Sequence, residues 1–266
     1  MYFITKANII TSQLFWENLS DSSQKKLCHF LARIYNSKIS RFAIPFFCKR
    51  YSISQNLLQK YKPASGKNDF QSFQDFFTRK LAIPLKTNGS MSWPCEGYVC
   101  ESGKFSDLNL VNIKGNLIKA TKIFGKFHQD ILAESSFFNI FLHNHNYHRF
   151  HSPVDAEVLD IEAISGKLLF LRPWFYQKNQ VSFPSFLNER VIIKLKDSNQ
   201  LVWHLCFVAG MGVGNIELHK NISIGNQIKM GDEIGLFLLG STCCMSVPYL
   251  VAPKNYMAQV EVGAAI

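Results

Sequence analysis

The chain changes its hydrophobic period part-way along. Leu27, Phe30, Leu31, Ile34 and Tyr35 follow the i, i+3, i+4, i+7, i+8 spacing of one helix face. Asp21 or Ser22 stands where that helix would be capped. Ile39, Phe42, Ala43, Phe46 and Phe47 repeat the pattern, and Pro45 is expected to kink or restart it because proline lacks a backbone donor. Further on the period shortens. Residues 154–163, 168–175, 191–195 and 201–208 alternate or run apolar over strand lengths. Gly166, Gly210, Gly225 and Gly231 fall at expected turns, and Pro94, Pro153, Pro173 and Pro184 at strand ends. Residues 60–68 read as a linker. The pattern predicts an α+β chain: basic amphipathic helices over residues 1–64, then a β-rich domain over 65–266. Pro94 and Pro153 open two weakly similar segments, which suggests two related β-units in hammerhead- or barrel-like sheets.

Composition adds a core and an asymmetry. At 266 residues and 47% hydrophobic content the chain can bury a substantial interior. Its formal charge is +10. Residues 1–90 hold fourteen Lys/Arg against four Asp/Glu, whereas residues 91–266 hold fifteen of each. All the basic excess therefore lies with the helices, where Lys25, Lys26, Arg33, Arg41, Lys49 and Arg50 sit off the apolar stripe. Basic helices with aromatic faces suit an anionic lipid leaflet. Nucleic acid is not expected, because no zinc finger, Gly-x-x-Gly clamp or RNP-like run is present. The first residues do not read as a secretory signal, and the apolar runs 42–48 and 205–213 are shorter than the roughly 20 residues that span a bilayer. The seven cysteines show no metal spacing, so reduced, mostly buried thiols are expected. Together these suggest a peripheral protein on the cytoplasmic face of a membrane.

Chemistry concentrates in two places. His143, His145, His148 and His151 fall within nine residues. Zinc is one reading, but in an extended segment residues 143 and 145 face one way and 148 the other, and Asp155 is the sole acid nearby. The second place is Leu239-Gly-Ser-Thr242. Gly240 leaves its carbonyl open to approach, and Ser241 carries a hydroxyl that can attack it. A biotinyl or lipoyl carrier reading of residues 152–158 and 225–235 lacks the tight hairpin between its halves, since some seventy residues intervene.

Tyr147-His-Arg-Phe-His-Ser-Pro153 and Leu239-Gly-Ser-Thr242, in that order, resemble the phosphatidylserine decarboxylase proenzymes. Phe73-Gln-Asp-Phe-Phe-Thr-Arg79, Trp93-Pro-Cys-Glu-Gly-Tyr-Val99 and Val208-Ala-Gly-Met-Gly-Val-Gly-Asn-Ile-Glu217 resemble three further blocks of that family. The resemblance implies self-cleavage between Gly240 and Ser241, giving chains 1–240 and 241–266 that stay associated. Ser241 would become a covalent pyruvoyl group, an electron sink for decarboxylating phosphatidylserine to phosphatidylethanolamine. It matches His151 and Ser241 to an Asp-His-Ser triad, with Glu96 at the aspartate position, and His148 to the histidine of the decarboxylation step. Asn146 stands where many members carry Asp. These two departures leave an alternative, a catalytically impaired relative that still binds membranes. A homodimer is a further possibility.

Overall fold

The computed structural model describes residues 15–16, 18–113, 115–171, 183–211, 216–238 and 240–266. The helical third opens with α1 (Asp21–Asn36). Its cap is Ser20, one residue before the expected Asp21, and the Ser20 hydroxyl accepts from the Ser23 N–H at 3.2 Å. A 3-10 segment, Lys38–Ala43, leads into α2 (Ile44–Arg50), and Pro45 sits in the first turn of α2, where its missing donor costs nothing. After α3 (Gln55–Leu58) the chain makes β1 (Tyr61–Lys62), α4 (Phe73–Phe77) and β2 (Lys80–Leu81). β1, inside the expected linker at 60–68, pairs antiparallel with β2.

The apolar stripe of α1 is split. Leu31 and Tyr35 turn inward, while Leu27, Phe30 and Ile34 are exposed. The buried side is fixed by Gln24, which donates to the Trp16 carbonyl at 2.9 Å and accepts from the Leu168 N–H at 3.0 Å. Tyr35, Ile44 and Phe47 pack with Phe73, Phe76 and Phe77 of α4, which lies beyond the expected boundary at residue 64.

Besides two further 3-10 segments (Phe105–Asp107 and Ala120–Gln129), the chain continues with β3 (Gly97–Lys104), β4 (Val111–Ile113), β5 (Asn116–Ile118), β6 (Ser136–Leu142), β7 (Arg149–His151) and β8 (Ala156–Ile164). There follow α5 (Phe183–Leu187), β9 (Arg190–Asp197), β10 (Val202–Ala209), β11 (Ile216–Leu218), β12 (Gln227–Ile228), β13 (Glu233–Phe237), β14 (Ser241–Val247) and β15 (Ala258–Val260). The main sheet has the order β12-β8-β9-β10-β14-β6-β3-β15, and every neighbouring pair is antiparallel. A smaller sheet, β11-β13-β7, accompanies it. Of the expected strand at 168–175, residues 168–171 are buried without forming a strand, and 172–175 lie outside the described residues.

Both faces of the main sheet are covered. Phe138, Ile140 and Leu142 of β6, Trp203, Leu205 and Phe207 of β10, and Cys243 and Met245 of β14 enter one core. The alternate residues Phe137, Phe141, Cys206, Val208 and Cys244 enter the other. This is the period-two logic of a strand, and it makes β6 and β14 wholly buried. All seven cysteines are free, and six of them are buried.

Candidate active site

Ser241 is the first residue of β14, a strand flanked by β10 and β6, with Ala209 and Leu142 as its register partners. The alternation fixes its direction. Ser241 shares a face with Cys243 and Met245, the face on which Phe150 and Phe237 of the smaller sheet pack. Thr242 points the opposite way and donates to Asn139 Oδ1 at 2.7 Å and the Ile140 carbonyl at 2.8 Å. Asn139 in turn donates to Glu101 Oε2, and desolvation pushes the Glu101 carboxyl up to about 8, so it is protonated at neutral pH. Gly240 has φ +48°, a left-handed conformation suited to glycine, and its carbonyl accepts the Gly210 N–H at 2.7 Å.

His148 meets the serine. Its Nδ1 is 3.2 Å from Ser241 Oγ, and its ring stacks on Phe77 with centroids 4.0 Å apart. The ring is completely buried, and Nε2 has no partner among the described residues. Burial first, and the Arg79 guanidinium second, hold its pKa well below 6.5, so the imidazole is neutral. A neutral imidazole whose Nδ1 faces a hydroxyl is able to accept that proton.

His151 goes elsewhere. Its Nδ1 contacts the Gly231 carbonyl at 2.8 Å and its Nε2 the Tyr147 hydroxyl at 3.2 Å. Glu96 accepts from Asn146 Nδ2 at 2.6 Å and makes a long contact of 3.5 Å with the Tyr61 hydroxyl. The expected Glu96–His151–Ser241 triad is therefore not joined by hydrogen bonds in this structure. The reason is again strand parity: residues 148 and 151 lie three apart in an extended segment, so their side chains leave opposite faces. Phe150, sharing parity with His148, enters the core over Ser241, while Arg149, sharing parity with His151, turns to Glu233. Asn146 also accepts the His143 N–H at 2.8 Å, which closes the turn ahead of His148.

Arg79, Gln74 and Gly210 hold this arrangement and carry no role in the sequence reading. Fully buried Arg79 donates to the carbonyls of His145 at 2.7 Å and Asn146 at 2.9 Å. Gln74 of α4 donates to the Leu238 carbonyl at 2.9 Å, just ahead of Gly240. α4 and Arg79 just after it thus grip the histidine turn, the face of His148 and the approach to Ser241. The signal was the Phe73–Arg79 block itself, whose contribution is to position other groups.

A cavity of about 190 Å³ opens over Ser241 and Gly240. Leu31 and Tyr35 of α1 form one wall, and Asn144, Phe170, Gly210 and Met211 others. A larger cavity of about 420 Å³ among Ile113, Leu117, Phe186 and Arg190 contains none of the groups described above. A pyruvoyl group made from Ser241 would sit at the edge of the smaller one, since Ser241 lines it and its hydroxyl contacts the neutral His148 imidazole.

The profile of the phosphatidylserine decarboxylase family matches residues 73–266. The chain belongs to that family. Three curated proteins named phosphatidylserine decarboxylase proenzyme are similar to it. Those of Coxiella burnetii and Psychrobacter arcticus are each 28% identical, covering 89% and 91% of this chain and 87% and 92% of their own lengths. That of Helicobacter pylori is 26% identical over 90% of this chain and 97% of its own. Family membership makes the chain a decarboxylase, and nothing in these likenesses favours an impaired relative.

Proposed function

We propose that this chain cuts itself between Gly240 and Ser241 and then decarboxylates phosphatidylserine to phosphatidylethanolamine at an anionic membrane surface. The contact between His148 Nδ1 and Ser241 Oγ at 3.2 Å carries the reading. It gives His148 the role of general base, which the resemblance alone would give to His151. Ser241 Oγ attacks the Gly240 carbonyl as its proton passes to His148 Nδ1. The acyl group moves from nitrogen to oxygen, and the Ser241 nitrogen takes up a proton. Loss of the Cα proton then breaks the Cβ–Oγ bond, releasing the Gly240 carboxylate and leaving dehydroalanine, which water hydrolyses to the ketone and ammonia.

The pyruvoyl ketone supplies the electron sink for the charge left when CO2 departs. His148, whose Nδ1 lies beside the residue that would become the ketone, is placed to hold or deliver a proton in the second reaction. The cavity admits an amino-acid headgroup, and its wall on α1 lies beside exposed apolar side chains, so the acyl chains can stay in the bilayer. Glu96 acts on the histidine turn through Asn146, and His151 braces Tyr147.

Intact mass spectrometry tests the first step. The wild type should yield a 26-residue C-terminal fragment with a blocked N-terminus. Ser241→Ala and His148→Ala should remain full length. Cleavage by His148→Ala at the wild-type rate would return the base to another residue, His151 first. A cleaved wild type that releases no CO2 from phosphatidylserine vesicles would refute the substrate.

A further inference from the structure

Self-cleavage by acyl transfer needs more than a base. As Ser241 Oγ adds to the Gly240 carbonyl, the carbonyl oxygen becomes an oxyanion in a site where buried charge is costly. A preorganised donor must already point at it. From the geometry we propose that the Gly210 backbone N–H is that donor, and that residue 210 is glycine so that the scissile carbonyl can reach it. This rests on the self-cleavage reading and adds a catalytic group to it.

Three observations carry the assignment. First, the Gly210 N–H donates to the Gly240 carbonyl oxygen at 2.7 Å, short for an amide donor. Second, Gly210 immediately follows β10, whose Ala209 is in register with Ser241, so the donor is anchored to the strand beside the nucleophile. Its rigidity comes from the sheet, and Asn188 Nδ2 bonds the Ala209 carbonyl at 2.8 Å directly behind it. Third, the approach leaves no room for a side chain. A Cβ on Gly210 would lie 2.9 Å from the Gly240 oxygen and 3.2 Å from its carbonyl carbon. The constraint is therefore closeness to the reacting carbonyl.

The atoms then balance within the chain. Ser241 Oγ loses its proton to His148 Nδ1 as the Oγ–C bond forms, and the carbonyl electron pair moves to the oxygen held by the Gly210 N–H. Collapse of that oxyanion breaks the Gly240–Ser241 C–N bond. The departing nitrogen takes the proton from His148, which leaves an ester and a free amine. The same N–H would also close the sheet ladder in a protein with no such reaction, so the test must separate catalysis from folding.

Gly210→Ala, purified beside wild type and Ser241→Ala, provides the test. Its Cβ displaces the scissile carbonyl, and loss of one oxyanion donor costs roughly 100- to 1,000-fold in rate. Gly210→Ala should cleave at least tenfold more slowly than wild type while melting within a few degrees of Ser241→Ala. Neutral hydroxylamine, which cuts an accumulated ester, should release no additional fragment, because the slowed step precedes the ester. A second variant carries glycolic acid at position 210 by cell-free translation, which replaces the N–H with oxygen and adds no bulk. It should be slowed comparably. Wild-type cleavage in either variant overturns the proposal and leaves the self-cleavage reading standing. So does a burst of fragment from Gly210→Ala on hydroxylamine. A wild type that never cleaves removes both.

Discussion

His148 operates in this proposal as a neutral imidazole in a dry pocket. Its pKa lies well below 6.5 because burial disfavours the charged ring. The basic form therefore persists in mild acid. Self-cleavage followed by intact mass should hold its rate from about pH 7.5 to about pH 6 and fall only in stronger acid. A fall centred on 6.5 would indicate an exposed base. A second expectation joins Glu96 and Asn146, the two departures from the family pattern, which touch at 2.6 Å. Asn146→Asp would set two anions at that distance, and Glu96→Asp would withdraw by one methylene from Asn146. Each single change should slow cleavage, and the double variant should cleave faster than the product of the two effects, by a few-fold or more. Strict additivity would show that the two sites act independently. Ser241, Gly240 and both histidines were legible in the sequence as candidates. The sequence did not reveal which histidine reaches the serine, because that depends on the strand parity of residues 148–151 and on which face the second sheet covers. The Glu96–Asn146 contact was equally invisible, as it spans fifty residues.

At the scale of elements, α1, the 3-10 segment and α2 present Phe30, Ile39, Phe42 and Phe46 to solvent, with Phe46 77% exposed. Arg41 stacks over Phe42, its guanidinium 5.2 Å from the ring centroid. Exposed aromatics among cations, next to the helix α1 that walls the cavity, are what docking to an anionic bilayer requires. Phe42→Ser with Phe46→Ser should weaken sedimentation with vesicles containing phosphatidylglycerol by tenfold or more, with self-cleavage unchanged. Binding should also fall as salt rises, since exposed charges are screened within about 8–10 Å at 0.1–0.15 M. Equal binding to neutral vesicles at low salt would argue against the charge component. The helix periodicity located α1 and the Pro45 restart well. It could not tell that Phe30 and Ile34 face outward while Leu31 and Tyr35 face the cavity, because one wide apolar stripe serves both sides. The strands at 156–164, 190–197 and 202–209 were legible from their apolar runs. β14 has no comparable apolar run, since Ser241, Thr242 and Ser246 make it look polar although every residue in it is buried.

For the whole molecule, a buried neutral histidine contributes to the loss of stability in acid. His204 is 1% exposed, and burial lowers its pKa to about 4. The unfolded chain binds a proton there near pH 6.5 and the folded chain only near 4, so stability is lost as pH falls through that window. The loss from this residue is on the order of 3 kcal/mol. Melts of Ser241→Ala, which stays one chain, should show it, and His204→Gln should flatten the slope between pH 6.5 and 4. After cleavage, a denaturing gel should show two bands and gel filtration a single species, because β14 lies between β10 and β6 in the main sheet.

That central position has a consequence for supply. A cofactor drawn from solution can be lost by dilution, exchanged for a fresh copy, or withheld when its pool is empty. One formed from the first residue of an interior strand is fixed at one per polypeptide. It can be neither dialysed away nor replaced, so chemical damage to it retires the molecule for good. Under the proposed self-cleavage, the amount of working enzyme follows the rate at which new chains are translated and folded, and no vitamin supply limits it.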